Sequence, residues 1–241
     1  MLKEGAHRLF SNASLTYAMF NNALLSHFCE VIMNRRNFLS LLLCFTAMQS
    51  AKSAVMPLGP MTPQGQLMRA YVAHPKRVTQ SCPFWCWAAS ISMIFEAHGY
   101  HIDQTEIVRR SFNSNVAICT TGNTSTMGNN LSQPWVDLQG RNFQSQVVAA
   151  YDYFNNINAI NNMILINELI YDRPLLYANK SHAMVVVSID YFMTPMGPDV
   201  KAVGVLDPWP ASPGYHLLNP QEMVPVHMGG DMTFLAAVQT T

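Results

Sequence analysis

Residues 80–90 read Gln80-Ser81-Cys82-Pro83-Phe84-Trp85-Cys86-Trp87-Ala88-Ala89-Ser90, and the reading of this stretch decides the fold. Pro83 stands where a chain often enters a helix. From Trp87 onward, Ala88, Ala89, Ile91, Met93, Ile94 and Phe95 form a helix-forming, mostly apolar run. Gly99, after His98, supplies a C-terminal stop, so the spacing predicts a helix over roughly 86–98 with Cys86 in its first turn. A helix N-terminus favours the thiolate, which is the nucleophilic form of cysteine. Gln80 lies six residues upstream, close enough for its side-chain amide to join the Cys86 backbone N–H in holding an oxyanion. A free cysteine is more often a small buried hydrophobe. Here its position at a helix start favours the reactive reading.

Downstream, Asp103-Gln104-Thr105-Glu106 is a capping box that opens a short helix through Ile107, Val108 and Phe112. From Asn113 to Gly140 the composition turns to Asn, Ser, Thr and Gly, which predicts a loop. Phe143 to Phe154 suits helix or strand, and helix is the expectation here. Asn161 or Asn162 caps another helix through Met163, Ile164, Ile166, Leu169 and Ile170, ending before Pro174. Strands follow at 175–178, at His182–Asp190 with its β-branched run, and at 201–206 as the return arm of a hairpin. A short helix near Pro220–Glu222 and a last strand at 232–238 complete the pattern. Residues 55–79, with Pro57, Pro60, Pro63 and Pro75, read as an extended leader into the motif. Helices first and antiparallel strands last is an α+β order.

The chain has 241 residues, no formal net charge, 12% charged residues and no basic run, which excludes nucleic acid as a partner class. Its sixteen methionines serve to fill the core. Met33-Asn34-Arg35-Arg36-Asn37-Phe38-Leu39 precedes an uncharged stretch to Met48 and small residues at Ala51 and Ser53. These are the n-region, h-region and cleavage site of a signal peptide, with an h-region too short to span a bilayer well. Signal peptides begin near a start codon, so residues 1–32 read as a mis-assigned upstream extension, 33–53 as the signal, and 54–241 as the working domain. That domain holds nine Lys and Arg against twelve Asp and Glu, and three cysteines, Cys82, Cys86 and Cys119. An odd count in an exported protein points to one reactive thiol and one disulfide. With Cys86 as the thiol the bridge is Cys82–Cys119. Pairing of Cys82 with Cys86, which would silence the nucleophile in oxidising conditions, is the competing arrangement.

A cysteine nucleophile needs a base that later returns the proton to the leaving amine, and histidine suits both tasks. Of the six histidines after residue 53, only His182 heads a hydrophobic strand, where a rigid element aims it. His98 and His101 straddle the Gly99 break, about 18 Å down the helix from Cys86, and lack the spacing of a zinc site. No metal or cofactor is expected. The imidazole in turn needs an orienting group. Asp190 is eight residues along the same strand, about 26 Å away. Asp207 ends the next strand of the hairpin, which brings it beside the start of the His182 strand, and Trp209 stands near enough to shield the pair from water.

The pattern Gln80-x5-Cys86-Trp87-Ala88-Ala89 resembles the nucleophile motif of the papain-like cysteine peptidases. The wording Trp85-Cys86-Trp87-Ala88-Ala89 is most similar to the short bacterial branch that includes plant-pathogen effector proteases. Ile102-Asp103-Gln104-Thr105-Glu106-Ile107 and Asp207-Pro208 resemble further elements of that branch, and Ser181-His182-Ala183-Met184-Val185-Val186-Val187 resembles the His-bearing strand of the family, though Ser181 stands where Gly is common. Arg35-Arg36-Asn37-Phe38-Leu39 likewise resembles the twin-arginine export motif. The resemblance implies a two-lobed fold, with a nucleophile helix facing a His-bearing sheet. It also implies a catalytic set of Cys86, His182, Asp207 and Gln80. The expected protein is a periplasmic or secreted, monomeric cysteine peptidase that acts on peptides or proteins and has no stable membrane insertion once its signal is removed. A non-proteolytic acyl transferase or deamidase on the same residues, and a silent binding or toxin module, are the alternatives.

Overall fold

The run from Ala183 to Ile189 offers no polar face, being β-branched or apolar at all but Ser188, and such a strand must be covered on both sides. In the computed structural model, which describes residues 54–241, it forms β7 (Ala183–Thr194), buried at every residue from Ala183 to Tyr191. The expectations for residues 1–53, the upstream extension and the export signal, lie outside the described residues.

β7 organises one antiparallel sheet. Along one edge it pairs with β8 (Gly197–Leu206), and the two turn at Pro195-Met196, where Thr194 faces Gly197. Gly197 has φ +110°, a conformation easy only for glycine. The other edge is shared: β6 (Leu175–Asn179) pairs with Ala183–Val186, and β2 (Leu67–Tyr71) with Ser188–Phe192. From β6 the sheet runs through β10 (Met232–Thr240) to β4 (Asn142–Asp152) and β3 (Pro134–Val136). β1 (Val55–Pro57) borders β2, β5 (Ile157–Asn158) borders β4, and β9 (Tyr215–Leu217) borders β8.

Four α-helices form among the described residues. α1 (Cys86–Ala97) lies on β6 and β7 with α2 (Gln104–Ser111) and α3 (Thr124–Asn130) beside it. α1 is buried from Trp87 to Phe95 and ends where Gly99 takes φ +84°. Each fully buried Ile or Phe in it contributes roughly 1.5–3 kcal/mol by leaving water. Asp103 caps α2 by accepting from the Thr105 N–H at 2.7 Å. α4 (Asn162–Ile170) is capped by Asn161 and packs against β2, β6, β7 and β8. Among the described residues no helix is long and apolar enough to cross a membrane.

The α+β class stands, with corrections. Residues 143–154, expected as helix, are mostly β4. Phe143, Ser145, Val147 and Ala149 alternate with Gln144, Gln146 and Val148, a period of two, and β10 pairs along that strand. The expected loop 113–140 contains α3 and β3. Asn123 caps α3 through the Thr126 N–H at 2.8 Å, so the polar composition read as loop also supplied a helix start. The 55–79 leader carries β1 and β2, and β2 belongs to the sheet: Arg69 reaches Asp190 of β7 through Nε at 2.6 Å and Nη2 at 2.7 Å. No helix forms at 220–222. A turn lies there, and a single 3₁₀ turn follows at Val226–Met228. Strands therefore precede, interrupt and follow the helices.

Candidate active site

Cys86 opens α1 and is the free cysteine among the described residues, half-buried. Trp85 is the N-cap and no side chain caps the helix, so no side-chain oxygen neutralises the backbone N–H groups of the first turn. The aromatic neighbours of Cys86 have a role that the sequence did not reveal. Trp85 Nε1 donates to the Ile118 carbonyl at 2.9 Å, and Trp87 Nε1 to the Thr120 carbonyl at 3.2 Å. Between these two anchors Cys119 is joined to Cys82 as a disulfide, with Cα atoms 5.9 Å apart. A Cβ on Gly122 would fall 2.5 Å from the Trp87 ring, so only glycine allows the loop to lie so close. Three successive ties therefore hold residues 118–120 against the start of the nucleophile helix.

His182 enters from the sheet. The Asn179 side-chain oxygen accepts from the N–H groups of Ser181 at 2.9 Å and His182 at 2.8 Å, which fixes the turn that launches β7. His182 Nε2 donates to Asp207 Oδ1 at 2.7 Å, and His182 lines the same cleft as Cys86. Asp207, directly after β8, is brought there by the β7–β8 hairpin, and its Oδ1 also accepts from the Trp209 N–H at 2.8 Å. Burial by itself would lower the pKa of His182. The hydrogen bonds and charges of Cys86 and Asp207 outweigh it and raise the value to about 9. For Asp207, burial acts to raise the value, and the bonds from His182, the Trp209 N–H and Ser212 bring it below the usual carboxylate range.

Gln80 is buried, but its amide nitrogen donates to the carbonyls of Cys82 and Pro83, each at 2.9 Å, and its Oε1 has no partner. Cys86, His182 and Asp207 are thus brought together, while the Gln80 donor points into its own turn. His98 and His101 stand apart: His101 pairs with Glu96, and His98 is buried, its pKa lowered by that burial and by Arg173. Among the described residues no group of three or more His, Cys, Asp or Glu side chains is arranged to hold a metal ion.

Cys86 and His182 line a cleft of about 550 Å³ together with Phe84, Phe154 and Trp209. Trp209 is 43% exposed there. A thiol at a helix start, an imidazole across a cleft and a carboxylate behind the imidazole are the parts of the cysteine-peptidase class. The model of the Peptidase_C39 like family matches residues 69–221, and the chain belongs to that family. It is accordingly related to cysteine peptidases, hydrolases whose substrates are proteins. The match spans the segment from β2 to the turn after β9 and includes all four residues singled out from the sequence. A search of curated proteins returns no match.

Proposed function

We propose that the protein is an exported cysteine peptidase that cleaves peptide bonds through a thioester on Cys86. The observation that carries this reading is the meeting of Cys86 and His182 in one cleft, with His182 Nε2 committed to the Asp207 carboxylate at 2.7 Å. Cys86 attacks the carbonyl carbon. His182 takes the thiol proton and then gives it to the leaving amine, so the amine departs neutral and the thioester is left for water. Asp207 holds the ring in the orientation that presents Nδ1 to the thiol. The Cys86 N–H at the helix start and the Gln80 amide stabilise the oxyanion, and Gln80 must exchange one of its two carbonyl partners to do so. The papain-like arrangement, nucleophile helix on one side of the cleft and His-bearing sheet on the other, is part of this reading. The likeness to effector proteases rests on the wording of Trp85–Ala89, Ile102–Ile107 and Asp207-Pro208.

The test is to treat purified residues 54–241 with a thiol-directed acyl probe and a diverse peptide library. Labelling of Cys86 together with peptide turnover is expected. Labelling without turnover of any peptide would replace hydrolysis by another acyl transfer.

The pH dependence has a definite sign. The leaving amine needs a protonated imidazole, and that proton is lost as pH rises through about 9, so turnover falls there. The same raised value stabilises the fold fully below the ordinary 6.5, and this contribution fades as pH climbs through about 9. In acid the pair fails as Asp207 protonates, below the usual carboxylate range. A rate profile whose alkaline limb falls near pH 6.5 would contradict this account.

Export rests on the Arg35-Arg36 signal. A chain begun at Met33 is expected to be exported as well as the full one, and Arg35→Lys with Arg36→Lys to stop it. N-terminal sequencing of the exported protein checks the cleavage point, and a start before Met33 counts against the proposal.

A further inference from the structure

Asp207 and Trp209 sit on an irregular segment between β8 and β9, where beyond the Asp207 N–H bond to the Gly214 carbonyl at 2.7 Å no ladder fixes the backbone. An arginine from a distant part of the chain does so. Arg77, half-buried between β2 and Gln80, donates through Nε to the Asp207 carbonyl at 2.7 Å. Its Nη2 donates to the Trp209 carbonyl at 2.6 Å and the Ser212 carbonyl at 3.4 Å. Among the described residues it makes no ion pair; its three partners are all backbone oxygens. Gly214, at φ +90°, lies against the arm, and a Cβ there would meet Arg77 Cδ at 3.1 Å. Three residues on, the Gln80 N–H donates to the Pro208 carbonyl at 2.9 Å, so residues 77–80 brace the same segment twice.

We propose that Arg77 is the positioning residue for Asp207: its guanidinium gathers the carbonyls of Asp207, Trp209 and Ser212 and so fixes the carboxylate to which His182 donates. This rests on the Cys86–His182–Asp207 reading of the site. Arg77 touches neither the thiol nor the imidazole and acts through the backbone. The planar fork suits the task, because one guanidinium reaches several carbonyls at fixed angles, whereas the ammonium of lysine is a single point. A small displacement of the carboxylate is enough to matter, since misplacement by about 1 Å costs around 10²-fold in rate.

The experiment is an NMR titration of His182 in histidine-labelled protein, wild type and the Arg77→Ala, Arg77→Lys and Asp207→Asn variants, with thermal unfolding of each. The charged and titratable groups around His182 are Cys86 on α1, Asp207 after β8, and Lys180 on the preceding turn, itself paired with Asp231. The wild-type midpoint is expected near 9. Arg77→Ala should shift it toward 6.5 as Asp207→Asn does, with Arg77→Lys in between. In parallel, Arg77→Ala and Asp207→Ala should slow iodoacetamide alkylation of Cys86 at pH 6 by the same factor, and the double variant should be no slower than either. A folded Arg77→Ala protein with the wild-type midpoint would overturn the role of Arg77 and leave the site reading intact. If Arg77→Ala does not fold, an unshifted Arg77→Lys protein has the same force. A wild-type midpoint near 6.5 would overturn the site reading and this inference with it.

Discussion

Cys86→Ala leaves no measurable peptide turnover, because no other thiol among the described residues is free to form the thioester. His182→Ala is expected to lose at least the 10²–10⁴-fold that a positioned acid and base contributes. It also loses the cation beside the thiol. Asp207→Ala retains more, since it removes orientation and leaves the proton carrier in place. Gln80→Ala is expected to cost about 10²–10³-fold, the usual loss for one oxyanion donor. Its amide nitrogen also donates to the Cys82 and Pro83 carbonyls, so the variant loses two hydrogen bonds of the turn as well, and the unfolding curve separates that loss from the loss in rate. The check is kcat/KM for each variant beside its unfolding curve. Full activity in His182→Ala would end the proposed mechanism. The order Cys86, His182, Asp207, Gln80 in severity is the signature to look for.

Opening the Cys82–Cys119 bridge is the second large effect. The two residues are 37 apart in sequence, and closing a loop of that length restricts the unfolded chain by roughly 4 kcal/mol in the chain-entropy model. For a domain of this size that corresponds to about 8–16 °C in Tm. Cys82→Ser with Cys119→Ser, or a reductant acting on the wild type, should therefore lower Tm by an amount in or below that range, below it where the Trp85 and Trp87 bonds keep the loop seated. Calorimetry with and without reductant measures it. A fall of less than about 2 °C would mean that the indoles, not the bridge, hold the loop, and proteolysis between residues 113 and 122 would then be unchanged by reduction.

The elements that were legible in the sequence carry their signals locally. Pro83, the alanines and Gly99 outline α1 within a few residues, Asp103 opens α2, and the β-branched run announces β7. Cys86, His182 and Asp207 were legible because each stands at the end of such an element, and hairpin geometry alone brings the last two together. β4 was missed because Phe143–Phe154 holds enough alanine and valine to suit either period, and its strand character depends on pairing with β10 some ninety residues away. α3 was missed because Asn, Ser and Thr serve both loops and caps. Arg77 could not be found at all: its partners lie 130, 132 and 135 residues downstream, and nothing near it marks the contact. The indoles beside Cys86 were visible, but their hydrogen-bond partners were not, since a carbonyl has no signature in a sequence.

The place of β10 in the sheet has a consequence for how the molecule comes into being. It follows every other strand in chain order yet lies between β6 and β4, paired with both. While a ribosome is still making the residues before 232, β4 and β3 have no link through the ladder to the β6–β7–β2 group. The sheet is therefore two separate ribbons with exposed edges until the final strand slides between them. Contacts so distant in sequence form slowly, because a long loop must be closed before they return anything. Folding of this domain is thus complete only once β10 has been made, and the half-sheets that wait for it are the species most in need of protection from one another.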